Sequence, residues 1–100
     1  MISVKTTKEN GFYKKVAILG HAMYADYGKD IVCSAASSIV TTTVNGILSL
    51  DKEALTYKVD KKGLTINICK QDKILDTLIC NMISLLKELE ENYKDNIEIK

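Results

Sequence analysis

The sequence predicts an α+β domain in which two helices pack on a mostly antiparallel sheet, in the order ββαββαβ. Three observations lead to this class. Alternating apolar and polar stretches occur in pairs separated by turn residues, two longer stretches carry apolar residues at helical spacing, and the strand-strand-helix order occurs twice. With 100 residues, the chain corresponds to a single domain over residues 1–100 with one core.

The first two strands are predicted to form a hairpin. Apolar and polar residues alternate over Ile2–Thr6, which is the period of a half-buried strand. Asn10-Gly11 favours a type I′ turn, because both central positions of that turn need positive φ. The chain returns over Phe12–Gly20, where the apolar run Val16–Leu19 predicts a central strand. His21 follows at the end of that strand.

The period changes after Asp30, and the run from Ile31 to about Leu50 is predicted to be a helix that Asp30 caps. Cys33 falls in its first turn. Cys33 and Ser37 are one i,i+4 step apart, so we expect both at the edge of the apolar stripe, where a side chain is partly covered and still reachable. The predicted stripe includes Ile31, Ala35, Ala36, Ile39 and Ile47.

The second half repeats the pattern. Leu55–Val59 and Leu64–Ile68 alternate around the turn Asp60–Gly63 and predict a second hairpin. Asp72 is expected to cap a second helix, and Ile97–Ile99 to form a short closing strand. The wide apolar face predicted for this helix consists of Ile74, Leu75, Leu78, Ile79, Met82, Leu85, Leu86, Leu89 and Tyr93.

Composition excludes several classes of function. The net charge is +1 and the lysines are scattered, so no basic face predicts nucleic-acid binding. No N-terminal signal and no stretch of ~20 apolar residues is apparent, which predicts a cytoplasmic protein without membrane contact. Three cysteines without a CxxC motif predict neither a disulfide framework nor a dithiol site, and one histidine makes a closed zinc site improbable. We expect no metal and no cofactor.

His21 and Cys33 form the one plausible catalytic pair. His21 is the sole histidine, and Cys33 lies twelve positions further on. The unpaired N–H groups of a helix start favour a thiolate, and a histidine at a strand end is well placed to move its proton. The alternative readings are a buried cysteine that acts as a small hydrophobe and a histidine bonded to a backbone carbonyl. Cys69 and Cys80 have no histidine nearby and are interpreted as structural or incidental.

Neighbouring residues have two possible roles each. Asp30 either caps the helix or orients His21, and capping is favoured because a carboxylate beside a thiolate would oppose it. Ser37 either donates a hydrogen bond to the Cys33 sulfur or packs within the helix. The loop between the pair contains Tyr24, Tyr27 and Gly28, and it either folds over an extended peptide or packs as a plain surface loop.

This region resembles the signature of the bacterial ribosomal-processing cysteine proteases, the Prp family, through Gly20-His21-Ala22, Gly28, Asp30-Ile31-Val32-Cys33, Ser37 and Asn45. The resemblance implies a small homodimeric endopeptidase that uses His21 and Cys33 as a dyad. Its substrate would be a large-subunit ribosomal protein, whose short N-terminal extension is removed by a cut just after two phenylalanines. The chain departs from the pattern at Ser34 and in the loop 23–27.

Two other functions are compatible with the residues. A cysteine hydrolase or acyltransferase with another substrate would keep the dyad. A non-enzymatic, dimeric, ribosome-associated module would explain the fold and a dimer, but not a Gly-His dipeptide that precedes a helix-start cysteine.

Overall fold

The computed structural model describes residues 1–20 and 31–100, and over these ranges it contains the five strands and two helices of the predicted order. The α+β class is therefore confirmed. The strands are β1 Ile2–Glu9, β2 Phe12–Leu19, β3 Leu55–Asp60, β4 Gly63–Ile68 and β5 Ile97–Ile99, and the helices are α1 Ile31–Leu50 and α2 Lys73–Asn92.

The sheet has the strand order β3-β4-β2-β1-β5. β2 lies between β1 and β4 and is antiparallel to both, which confirms its predicted central position. Val16 and Ile18 on β2 are fully buried. β5 pairs in parallel with β1 and closes one side, so the sheet is mostly antiparallel, and β3 forms the opposite edge.

The first hairpin turns as the sequence predicts. Asn10 has φ 55° and Gly11 has φ 82°, the two positive values of a type I′ turn. Asn tolerates this region better than other residues with a side chain, and glycine has no Cβ to clash. The turn thereby sets the register in which β1 and β2 present Val4 and Ile18 to the same core.

Helix α1 has the predicted bounds, but its buried face differs by one residue from the predicted one. Ile31 was expected in the core and is 67% exposed, and Ala35 is only half-buried. Steps of four residues from Val32 through Ala36 and Val40 form the row that meets the sheet. The buried residues of α1 are Val32, Cys33, Ala36, Val40, Val44 and Ile47.

The composition of α1 is unusual for a helix on one face of a sheet. None of its twenty residues is charged. Within the ranges that the structure describes, α1 is the one helix long and apolar enough to span a membrane, although the sequence predicted no such segment. Its buried side chains belong to the same core as the sheet and α2, and core helices of globular domains meet the same criteria of length and composition.

Helix α2 begins as predicted. The Asp72 carboxylate accepts hydrogen bonds from the backbone N–H groups of Ile74 and Leu75, at 2.8 and 3.2 Å. The predicted apolar face was too wide, because Ile74, Leu85 and Tyr93 are exposed. The buried residues are Leu75, Ile79, Met82, Ile83 and Leu86.

Side chains of α2 also hold two strands. Asp76 accepts from the backbone N–H of Tyr13 at the start of β2, at 2.7 Å. Glu90 accepts from the N–H of Ile99 in β5, at 2.8 Å. These bonds satisfy two backbone donors and fix α2 at two points along the sheet.

Replacing Gly63 by alanine should destabilise the fold. Gly63 has φ 141°, and a Cβ at this position would overlap the carbonyl oxygen of Ile18 on the neighbouring strand. We expect Gly63→Ala to lower the free energy of unfolding by roughly 2–4 kcal/mol, measured by urea denaturation. Gly46→Ala is the matched control: a Cβ there meets nothing within 4 Å, and α1 should gain about 0.5–1 kcal/mol. Equal stability of the two variants would contradict this account of Gly63.

Removing the α2 cap should have a smaller effect. Asp72→Ala leaves the N–H groups of Ile74 and Leu75 without their side-chain acceptor. The expected loss is about 1 kcal/mol of unfolding free energy. Asp72→Asn retains an acceptor oxygen and should stay close to the wild type in the same denaturation experiment. A cap role would be excluded if the asparagine variant lost as much stability as the alanine variant.

Candidate functional site

Cys33 is the third residue of α1 and is described in full. Because α1 begins at Ile31, the N–H of Cys33 is among those at the helix start that lack an intrahelical acceptor. The first turn carries no acidic residue among its described positions. The thiol therefore lies where the backbone dipoles favour an anion.

Burial of Cys33 corrects one prediction. The sequence placed the thiol at a reachable stripe edge, whereas the described residues leave Cys33 only 6% exposed and within the core. The reason is the shift of the buried face: with Val32 and Ala36 directed at the sheet, Cys33 points inward beside them. An attacking thiol in this position is shielded from bulk water, and a substrate carbonyl must come close to the protein surface to meet it.

Ser37 follows Cys33 by one helical turn and is half-buried. Its side chain lines a cavity beside α1 together with Ile18 and Gly63 from the sheet. The structure thus brings Ser37 to the same end of the domain as the close of β2. Donation of its hydroxyl to the Cys33 sulfur stays a prediction.

The remaining predicted site residues lie outside the described part of the chain. They are His21 and Asp30, for which a proton-transfer and a capping or orienting role were predicted, and the loop residues Tyr24, Tyr27 and Gly28. Their roles stay predictions.

The end of β2, where the chain reaches His21, is held by the backbone of two other segments. The Gly20 N–H donates to the carbonyl of Lys62 at 2.9 Å. Gly20 has φ 70°, and a Cβ on it would overlap the carbonyl oxygen of Met1. Only glycine fits this crowded left-handed position, which gives a physical reason for the Gly-His dipeptide.

A groove runs between α1 and the β3 edge of the sheet, and the sequence analysis did not anticipate it. Two adjoining cavities of about 150 and 180 Å³ form this α1–β3 groove. Its walls are mainly apolar and include Ser37, Val40, Val44, Tyr57, Val59 and Leu64. Alternation along β3 does place Tyr57 and Val59 on the helix side, but sequence gives no sign that α1 stops short of covering them.

The other cysteines lie away from the core. Cys69 and Cys80 are exposed, as their positions in the sequence indicate, and none of the three cysteines forms a disulfide. Among the residues with described positions, no group of three or more potential ligands is arranged to hold a metal ion.

Electrostatic perturbation of the described carboxylates occurs far from Cys33. A hydrogen bond from Lys70 lowers the pKa of Asp51 after the end of α1. Lys100 and then Ser3 lower the pKa of Glu98 in β5 by the same means. These pairs are largely solvent-exposed, so each contributes little to stability.

Comparison with known proteins identifies the family. A family model described as "Cysteine protease Prp" matches residues 1–98. The ribosomal processing cysteine protease Prp of Staphylococcus aureus is 33% identical over 103 residues, covering 99% of this chain and 97% of that one. The protein of the same name from Bacillus subtilis is 26% identical over 87 residues, covering 80% and 78%.

Solved structures agree. The fold is similar to that of the S. aureus protease in complex with a substrate peptide, with a TM-score of 0.87 at 30% identity, over 100% of this chain and 98% of that one. The same protease with a covalently linked product peptide gives a TM-score of 0.88 at the same coverage. The structure of SMU.848 from Streptococcus mutans gives 0.86 at 25% identity, over 100% and 92%. The chain belongs to the Prp family of cysteine proteases.

Proposed function

We propose that this protein is a cytoplasmic endopeptidase that removes a short N-terminal extension from a large-subunit ribosomal protein, with Cys33 as nucleophile and His21 as general base. The observation that carries the proposal is the position of Cys33 in the first turn of α1, in a chain that matches the cysteine protease family over residues 1–98. The S. aureus relatives with a bound substrate peptide and a covalently linked product peptide support peptide chemistry.

The first step of the reaction is acylation. The Cys33 thiolate attacks the scissile carbonyl carbon, and the carbonyl π electrons move onto oxygen, where helix-start N–H groups stabilise the oxyanion. The intermediate collapses, the C–N bond breaks, and the His21 imidazolium gives its proton to the leaving amine. The product on the enzyme is a thioester between Cys33 and the new carboxyl-terminal residue.

The second step is deacylation. His21 takes a proton from water, the hydroxide oxygen attacks the thioester carbon, and the Cys33 thiolate leaves. The enclosure of Cys33 in the core supports this role, because a thioester with little exposure reacts with a directed water rather than with other thiols. In the same proposal Asp30 caps α1, Ser37 donates toward the sulfur, and Tyr24 and Tyr27 cover the substrate.

Cys33 and His21 should act as a unit. Cys33→Ala is expected to abolish cleavage of a peptide that spans a Phe-Phe pair, and His21→Ala should be almost as severe, since a dyad loses most of its rate with either member. Because Cys33 is buried, we also expect the alanine variant to lose about 1 kcal/mol of stability, measured by urea denaturation.

The control is Cys80→Ala, which changes an exposed thiol on α2 and should cleave at the wild-type rate. A His21→Ala variant that kept more than about a tenth of the wild-type turnover would show that the base assignment is wrong. A wild-type enzyme that cleaved peptides with and without the phenylalanine pair equally well would point to a different substrate.

The protein should be a twofold symmetric dimer. A homodimer with a C2 axis is the commonest oligomer, and two small domains gain buried apolar area by associating. Multi-angle light scattering at micromolar concentration should give twice the chain mass of 11.1 kDa. A monomer mass over the whole concentration range would contradict the dimer.

A further inference from the structure

The outer edge of β3 carries backbone groups that no described strand uses. The Cys69 N–H donates to the Ala54 carbonyl at 2.8 Å, which fixes the alternation of the β3–β4 ladder. The backbone groups of Thr56 and Lys58 therefore point toward β4. Those of Tyr57 and Val59 point outward, away from the sheet, where they can pair with an added strand.

The side chains of the same two residues face α1. Tyr57 lies opposite Ile66 and Val59 lies opposite Leu64, so both are on the core side of the sheet. They nevertheless remain 54% and 51% exposed, because they form one wall of the α1–β3 groove. An unpaired backbone edge and an apolar groove thus lie side by side, which is the arrangement that binds extended peptides by strand addition.

The size of the groove suits side chains about as large as an aromatic ring. Its two cavities measure about 150 and 180 Å³, and an apolar cavity of ~150 Å³ is large enough to hold benzene. One cavity reaches Gly63 and the other reaches Tyr57, with Val59 in both. They therefore follow one another along β3, as alternate side chains of an extended peptide do.

The groove leads toward Cys33. Ser37, one turn beyond Cys33 on α1, lines the nearer cavity, and Asn45 lines the farther one. At 1.5 Å per helical residue, the distance from Cys33 to Asn45 along α1 is about 18 Å, which an extended peptide of roughly five residues covers. A substrate seated in the groove is thereby continuous with the proposed nucleophile, and a second copy of the chain is favoured less because the groove ends at that thiol.

We propose that the α1–β3 groove binds the substrate peptide on one side of the scissile bond. The peptide adds to β3 as an extended strand, through the backbone groups of Tyr57 and Val59, and places alternate apolar side chains in the two cavities. This inference rests on the proposed protease function and adds to it the location, backbone conformation and side-chain pattern of substrate recognition.

The first test introduces a charge into the groove. Val59→Lys places an amine between the two cavities, and Ile74→Lys makes the same change at an exposed apolar residue of α2. Steady-state kinetics should show KM raised about tenfold or more by Val59→Lys and unchanged by Ile74→Lys. Iodoacetamide labelling of Cys33 and the mass from light scattering should match the wild type in both variants.

The second test uses the unmodified enzyme, so it does not depend on the folding of a variant. Peptides carrying a single backbone N-methyl group at successive positions are compared as substrates. Strand addition uses the N–H groups of every second residue, so kcat/KM should fall at alternate positions and be retained at those between. Uniform tolerance along the peptide, or uniform loss, would exclude strand addition to β3.

The outcomes separate this inference from the protease function. A fluorescent substrate peptide should bind Cys33→Ala and bind the Cys33→Ala/Val59→Lys double variant about tenfold or more weakly. Wild-type cleavage with unchanged KM in Val59→Lys would overturn the groove and leave the protease intact. A change of Val59→Lys to a monomer mass would assign the groove to a second copy and also overturn the inference. Absence of wild-type cleavage would overturn the protease function, while the binding comparison would still decide the role of the groove.

Discussion

The pairing of β2 with β4 is the interaction on which the rest of the structure depends. Each hairpin alone would expose one apolar face and would be marginally stable in water. Pairing Val16 with Ile66 and Ile18 with Leu64 joins the two hairpins into one sheet wide enough for two helices. The same contact requires Gly63 to approach the Ile18 backbone, so it tolerates no side chain at that point.

This pairing also sets the position of the chemistry. The ladder continues past β2 through the bond from the Gly20 N–H to the Lys62 carbonyl, so the strand that leads to His21 ends against the β3–β4 turn. Helix α1 starts its buried face with Val32 and Cys33 over the same sheet. A rigid strand end and a helix start are better supports for reacting groups than two loops would be.

Much of the fold could be predicted because hydrophobic period and turn chemistry are local properties. Alternation located the strands, Asn10-Gly11 gave the turn type, and Asp72 gave the start of α2. The strand order and the parallel pairing of β5 with β1 could not be predicted, because they depend on contacts between residues distant in sequence. The family was predictable from a compact motif around Cys33, since those residues serve the chemistry.

The errors had a common physical origin. In α1, several faces are apolar enough to be buried, so composition alone did not distinguish the row that starts at Val32 from the one that starts at Ile31. That offset of one residue moved Cys33 from a predicted edge into the core. In α2, charged residues limit the choice of face, and there the errors are confined to the margins of the stripe and its far end, at Ile74, Leu85 and Tyr93.

The lack of charge in α1 has a consequence for how rates of this protein should be interpreted. Neither α1 nor the lining of the α1–β3 groove contains a carboxylate, an amine or an imidazole. Association with such a surface is governed by apolar desolvation, whose thermodynamic mark is a negative heat-capacity change and not a dependence on ionic strength. Changing the acidity of the solution alters no charge on these walls, so a bell-shaped profile of kcat/KM reports the protonation of the reacting groups themselves.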